Sequence, residues 1–463
     1  MSEMRFDRSM SSAEGLMWRL EKDPYLSSTF GTVLVLDRPP DVDALRRRME
    51  LASRRVPRLR QRVRSGPTNL APPVWVDDSD FDIDRHVRRI ACPAPGGLQD
   101  LLDLASRLVA DPLDRTRPLW QFIVVEGLEG GRAALVQKMH HALTDGERGV
   151  ELSLQYLDFE RDVPPPGEHD TSEHDTSEHD TSEHDTGIAD AVIGAVSDGL
   201  QLPLAVARRV RDLLADPAAL PAATASATRT MSSLLGQFTE TDRGRSPLWT
   251  ERSLDRAVHV ARAPFAESKR VARQLGGTLN TAFLTMAADA AGDYHRRLGA
   301  PIESLRASMA ISTRTERSGS NAFSLVPVLV PTGDMPIDER FRAVHELTEM
   351  ARRSRGGPAL DMAASLAAPL PTSIITRLAR QQAQTVDFAT SNVKGSPIPV
   401  YLAGARIDEI YPIGPLVGVA FNLTLMSYHG SLDMALHIDT AAVTEPALLT
   451  ECLERSSRAF AAV

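Results

Sequence analysis

Cysteine is nearly absent from this chain, with only Cys92 and Cys452 among 463 residues. Two cysteines exclude a disulfide framework and a zinc site built on cysteine ligands. Aromatic residues make up only 5% of the chain, and no run of 18 apolar residues occurs. A membrane-spanning helix needs such a run, and the segment MSEMRFDRSM also has no apolar stretch of the kind found in secretory leaders. We therefore expect a cytoplasmic protein that is soluble or lies on a membrane surface without spanning it.

A strong excess of charge of either sign is also lacking over most of the chain. The net charge is −9, but eight acidic residues fall between Glu168 and Thr186, with no Lys or Arg among them. The rest of the chain is close to neutral, which argues against nucleic acid as a partner. Arginines cluster between residues 46 and 62. Their pattern favours a solvated helix face over a site for anionic lipid or cofactor phosphate.

The length of 463 residues predicts two or three domains, and we expect two large lobes. Residues 1–160 and 246–463 each alternate β-branched strand patterns with helical patterns, so both lobes should mix sheet and helix. Residues 161–187 contain a repeated EHDTS pentapeptide, which cannot bury apolar surface and predicts a disordered linker. Residues 188–245 have an amphipathic helical pattern and form the predicted connector between the lobes.

The segment KMHHALTDGERG, residues 138–149, places adjacent histidines where a predicted strand ends and a helix begins. A histidine can act as a general base near neutral pH. Neighbouring residues on an extended chain point in opposite directions, so His140 and His141 should have different environments, one in a cavity and one in the core. The residues alone favour a general base, but leave open two structural histidines or a metal site that includes Asp145.

HHALTDG resembles the HHxxxDG signature of a superfamily of acyltransferases. The other motifs indicate its bacterial wax ester synthase/diacylglycerol acyltransferase branch. In chain order they are DFDIDRHVRRIACPAPGG, PLDRTRPLW from Pro112, GGTLNTAF from Gly276, SNVKGSP from Ser391 and SYHGSLDMALHID from Ser427. Together these motifs extend over almost the whole chain outside the repeat.

The resemblance implies a mixed α/β fold of two lobes, each like chloramphenicol acetyltransferase, with a tunnel between them. It also implies that His141 is the general base, which deprotonates an acceptor hydroxyl for attack on the thioester of acyl-CoA. Transfer would be direct, and the absence of a GxSxG nucleophile motif agrees with this. Acyl-CoA would be a substrate, with no cofactor and no metal required.

The same resemblance assigns supporting residues. His140 and Asp145 complete the catalytic set. Gly146, which as a glycine permits positive φ or close approach by another group, would support the site. Asp145 would be chiefly structural and would pair with Arg314 from the second lobe.

Three further residues are candidates for binding substrate. Asn392 would shape the active centre. The alternative is that its side chain only satisfies a turn. Ser391 and Asn280 would also bind substrate. The chain departs from the family pattern close to these residues, since the family usually has aspartate in place of Thr281 and proline in place of Lys394 and Ser396.

The sequence therefore predicts an acyl-CoA-dependent O-acyltransferase that makes triacylglycerol or wax ester. One alternative, suggested by the departures, is transfer to a specialised, polyketide-like alcohol. Another is a lipid-binding paralogue without activity. Acyl-CoA and a lipid alcohol are the expected partners, with peripheral contact to the inner membrane surface or to lipid droplets.

Overall fold

The computed structural model describes residues 7–66, 72–144, 146–163, 246–312, 323–353 and 370–463. The predicted connector 188–245 lies outside the described residues, as does the predicted linker 161–187 apart from its first three residues.

The first half of the chain contributes six strands and five helices to the described structure. The strands are β1 (Thr29–Leu36), β2 (Gln61–Arg64), β3 (Val74–Asp77), β4 (Val87–Ala91), β5 (Trp120–Glu126) and β6 (Ala133–His140). The helices are α1 (Ser12–Leu20), α2 (Val42–Arg55), α3 (Ile83–His86), α4 (Leu98–Ala110) and α5 (Gly146–Ser153).

The second half contributes eight strands and five helices to the described structure. The strands are β7 (Arg256–Pro264), β8 (Ser304–Ser312), β9 (Phe323–Pro331), β10 (Phe388–Lys394), β11 (Tyr401–Leu402), β12 (Ala405–Ile413), β13 (Phe421–Tyr428) and β14 (Ser431–Asp439). The helices are α6 (Phe265–Gln274), α7 (Leu279–Arg297), α8 (Ile337–Arg353), α9 (Thr372–Ala383) and α10 (Pro446–Ala461).

The first six-stranded sheet has the order β11-β12-β1-β6-β5-β4. Its centre is β1, which pairs antiparallel with β6 on one side and with β12 on the other. Two of its strands, β11 and β12, come from residues 401–413, inside the segment predicted as the C-terminal lobe 246–463. The second half of the chain therefore completes the sheet of the first lobe.

The second six-stranded sheet has the order β7-β14-β13-β10-β8-β9, and β10 runs parallel to both β13 and β8. One face packs on helices α6, α7, α8 and α10. Helix α7 is buried along most of its length because it carries alanines and large apolar residues around its surface. A separate antiparallel pair, β2-β3, lies beside the first sheet. The predicted mixture of sheet and helix in both lobes is confirmed.

The other face of the second sheet lies toward the first sheet. Along β14, Met434, Leu436 and Ile438 enter the helix-covered core, so the residues between them point the other way. Ala435 accordingly packs in a cluster with Val33 and Tyr411 of the first sheet. A continuous apolar contact thus joins the two lobes.

Asp433 on this face ties three strands together. Its fully buried carboxylate accepts hydrogen bonds from Arg262 Nε at 2.9 Å and from the Ile410 backbone N–H at 2.9 Å. Arg262 belongs to β7 and Ile410 to β12 of the first sheet. A buried carboxylate is stable only when donors surround it, so these bonds help to fix the position of one sheet on the other.

We predict that Asp433→Ala lowers the free energy of unfolding by about 2 to 3 kcal/mol, because it leaves a buried N–H without an acceptor. Asp408→Ala is the control, since Asp408 pairs with the exposed Arg406 at 2.8 Å. That change should cost less than about 1 kcal/mol. Urea unfolding of both variants gives the comparison, and equal losses would contradict the role of Asp433.

Candidate active site at the end of strand β6

Strand β6 ends at His140, and α5 begins six residues later at Gly146. Between them the chain turns, and the Leu143 N–H donates to the His140 carbonyl at 2.9 Å. The pairing of β6 with β1 continues one residue past the strand, because the His141 N–H donates to the Ser28 carbonyl at 3.0 Å. Main-chain hydrogen bonds thus hold the first part of HHALTDG at the end of β6, an interior strand of the first sheet.

The His140 ring is buried, and both of its nitrogens have partners inside the protein. Nδ1 accepts a hydrogen bond from the Ala142 N–H at 2.9 Å. Nε2 lies 3.1 Å from Oε2 of Glu21. Because Nδ1 is an acceptor, the neutral ring carries its proton on Nε2 and donates it to Glu21. The tautomer of His140 is therefore fixed by its surroundings.

Glu21 follows helix α1 and receives several donors. Besides His140, its carboxylate accepts hydrogen bonds from Ser27 Oγ at 2.7 Å, the Ser28 N–H at 2.7 Å and Thr29 Oγ1 at 3.2 Å. Burial alone would raise the pKa of Glu21, but the interactions with His140, Ser27 and Ser28 outweigh it and bring the pKa to about 2. Glu21 is therefore a carboxylate at any pH near neutral.

His141 lies on the opposite side of the chain from His140 and is only partly buried. Its ring stacks at a tilt on Phe30, with 4.6 Å between ring centroids and 39° between planes. The two adjacent histidines thus have different environments, since His140 is buried in the core and His141 is partly exposed.

Ser391 and Asn392 belong to strand β10, so the alternative of an asparagine in a turn is wrong. Asn392 Nδ2 donates to Asn280 Oδ1 at 3.4 Å, on the side of the sheet that α7 covers. Ser391 is in register with Thr424, on the side that faces the first lobe. Of the predicted substrate-binding residues, Asn392 and Asn280 therefore contact each other, and Ser391 points to the opposite face of the sheet.

Helix α5 lies against β10. This contact brings the helix that begins at Gly146 next to the strand that carries Ser391 and Asn392. Asp145 and Arg314 lie outside the described residues, so their pairing stays a prediction.

Sequence reasoning missed Glu21 and Lys138. Lys138 is buried in β6, where its ammonium donates to the Asp111 carbonyl, and burial lowers its pKa to about 8. A polar residue two positions before His140 in an apolar strand must share its face, so the alternation of β6 could have revealed Lys138. Glu21 is a single acid in MWRLEKDP, and its contact with His140 spans 119 positions.

Across the described ranges, no three His, Cys, Asp or Glu side chains are placed to hold a metal ion. Asp145 is not among those residues, so the expectation of no metal stays a prediction. Of the helices that the structure describes, none is both long and apolar enough to cross a membrane.

The fold matches solved structures of acyl-transferring and condensing enzymes. A wax ester synthase/diacylglycerol acyltransferase from Marinobacter aquaeolei is 21% identical, with a TM-score of 0.66 over 98% of this chain and 100% of the other. The first condensation domain of the calcium-dependent antibiotic synthetase is 16% identical, with a TM-score of 0.59 over 98% of this chain and 96% of the other. The two-lobed fold like chloramphenicol acetyltransferase is thereby confirmed, and the tunnel between the lobes stays a prediction.

Sequence comparisons identify the family. The wax ester synthase/diacylglycerol acyltransferase catalytic domain matches residues 10–283, and the C-terminal domain of the same family matches residues 319–460. A Mycobacterium tuberculosis protein named as a diacylglycerol O-acyltransferase is 34% identical over 97% of this chain and 91% of its own length. The chain is an acyltransferase. It belongs to the wax ester synthase/diacylglycerol acyltransferase family, as its motifs predict.

The low pKa of Glu21 predicts how stability depends on pH. The carboxyl has a pKa of about 2 when folded and an ordinary value of 4.5. Its contribution is therefore complete above pH 4.5 and is lost as pH falls toward 2. We predict that the difference in free energy of unfolding between the wild type and Glu21→Gln shrinks by about 2 kcal/mol from pH 7 to pH 3. Urea unfolding at each pH measures it, and a constant difference would contradict this prediction.

Proposed function

We propose that this enzyme transfers a fatty acyl group from acyl-CoA directly to the hydroxyl of diacylglycerol or a long-chain alcohol. His141 takes the hydroxyl proton as the oxygen attacks the thioester carbonyl. The tetrahedral intermediate then collapses, the carbon–sulfur bond breaks, and the protonated ring returns its proton to the CoA sulfur. No acyl-enzyme forms in this scheme.

The observation that carries this proposal is the different environment of the two histidines. A general base must reach a substrate proton, and the ring of His140 is occupied on both nitrogens in the core. His141 is partly exposed, and its backbone is pinned to Ser28. We therefore assign proton transfer to His141 and a supporting role to His140.

The second lobe would complete the site. Helix α5 lies against β10, so substrates bound between the lobes would meet Ser391 on the face toward the first lobe. On the helix-covered face of the sheet, the hydrogen bond between Asn392 and Asn280 would fix β10 to the start of α7. In this scheme Asp145 and Arg314 form an ion pair that joins the lobes, and Gly146 lets them approach closely.

No cofactor is needed for this chemistry, and acyl-CoA enters as a substrate. The acceptors in question are lipids, so we also propose a cytoplasmic enzyme that contacts the inner membrane surface or lipid droplets. Three apolar side chains near α5 are exposed and support such contact: Leu154 at 55%, Phe159 at 58% and Val163 at 38%.

The acceptor can be tested with the purified enzyme. Labelled palmitoyl-CoA is incubated with hexadecanol or with dioleoylglycerol, in the presence and absence of EDTA, and the products are separated by thin-layer chromatography. We expect labelled wax ester or triacylglycerol at equal rates with and without chelator. Transfer only to a polyketide-like alcohol would favour the first alternative, lipid binding without transfer would favour the second, and strong inhibition by EDTA would favour a metal.

We predict that His141→Ala lowers the rate of CoA thiol release by about 10² to 10⁴-fold, the usual contribution of a general base. The matched control is His259→Ala, which removes a partly buried histidine of β7 in the second sheet. That variant should keep the wild-type rate. If folded His141→Ala releases thiol at more than a tenth of the wild-type rate, His141 is not the general base.

A further inference from the structure

We propose that Glu21 is a positioning residue for acyl transfer, because its carboxylate holds both histidines of the motif in place from the core. The inference rests on the proposed function, with His141 as the base. Glu21 acts through hydrogen bonds to two other residues, His140 and Ser28.

The first connection runs through the ring of His140. Oε2 of Glu21 accepts a hydrogen bond from His140 Nε2–H at 3.1 Å, which leaves Nδ1 as the acceptor for the Ala142 N–H. Ala142 directly follows His141 in the chain. Fixing the tautomer of His140 therefore fixes the turn on the C-terminal side of the proposed base.

The second connection runs through the main chain of Ser28. The same Oε2 accepts the Ser28 N–H at 2.7 Å, and the Ser28 carbonyl accepts the His141 N–H at 3.0 Å. Oε1 holds the neighbouring residues through Ser27 Oγ and Thr29 Oγ1. Glu21 thus secures the segment to which the backbone of His141 is bonded.

Glu21 is itself held firmly in position. It is the C-terminal cap of α1, and its side chain is 11% exposed. Helix α1 is fixed by Trp18, whose ring lies 3.6 Å from the guanidinium carbon of Arg115 and whose carbonyl accepts from Arg115 at 2.9 Å. Arg115 belongs to the PLDRTRPLW segment. This segment of the family pattern thereby supports the site through α1.

The charge on Glu21 suits this task. An ionised carboxylate is an acceptor on both oxygens and can satisfy four donors at once. The cations of Lys138 and Arg115 interact with it electrostatically and favour its charged form. Around neutral pH the carboxylate therefore keeps all of its donors.

The test compares Glu21→Ala, Glu21→Gln and a control, Glu14→Ala. Glu14 is also buried, and its Oε2 accepts the Ser11 N–H at 3.0 Å in the cap of the same helix. Its loss should weaken α1 without touching either histidine. For each variant, kcat and KM for palmitoyl-CoA are measured, with urea unfolding to confirm folded protein.

We expect Glu21→Ala to lower kcat by about 10 to 100-fold, because a displaced base loses its alignment with substrate, while KM stays within about two-fold. Glu21→Gln keeps an amide oxygen as acceptor for the Ser28 and His140 donors, and it should recover most of this loss. Glu14→Ala should keep the wild-type kcat.

Three results would overturn the role of Glu21: a folded Glu21→Ala variant with a near-normal kcat, no recovery in Glu21→Gln, or an equal loss of kcat in Glu14→Ala. The His141→Ala variant separates this inference from the proposed function. If His141→Ala is inactive while folded Glu21→Ala is active, only the role of Glu21 fails. If His141→Ala is active, the proposed function itself fails.

Discussion

A carboxylate taken out of water needs donors on both oxygens, and Glu21 meets this need with donors from two separate parts of the chain. Three come from residues 27–29 at the start of β1, and the fourth is the ring of His140 at the end of β6. The electrostatic requirement of one buried acid thus brings together the segments around the proposed base. One of these donors, the ring of His140, has partners on both nitrogens, so the proposed role of general base falls to His141.

The path of the chain also joins the two lobes. Strand β12, from the second half of the chain, pairs with β1, whose first residue, Thr29, donates a hydrogen bond to Glu21. Asp433 then links β12 to the second sheet through the Ile410 N–H. Since α5 also lies against β10, both ends of the HHALTDG region are attached to structures that the second lobe helps to build. The surroundings of the loop are therefore built from both lobes.

The sequence predicted the local parts of this arrangement well. Apolar β-branched patterns indicated β1 and β6, and Asp41 caps α2 where the helical pattern begins. It did not predict that residues 401–413 join the first sheet, because β12 pairs with β1 near the other end of the chain and such a distant pairing leaves no local pattern. The role of Glu21 was also hidden, since hydrogen bonds across more than a hundred positions leave no local pattern. Ser391 and Asn392 were both predicted to bind substrate, although the alternation of side chains along a strand places them on opposite faces of the sheet.

The departures from the family pattern keep the local structure intact. Where the pattern has a proline at Ser396, the serine hydroxyl accepts the Ile398 N–H at 3.3 Å and donates to the Ile398 carbonyl at 2.7 Å, so the turn is closed by hydrogen bonds. Where the pattern has an aspartate, Thr281 is buried at the start of α7 and bonds to the capping Thr278. The exposed Lys394 adds a positive charge at the end of β10, on the face that it shares with Asn392 and opposite to Ser391. The departures therefore alter the second lobe without removing any of the hydrogen bonds that join Glu21, Ser28, His140 and the chain around His141.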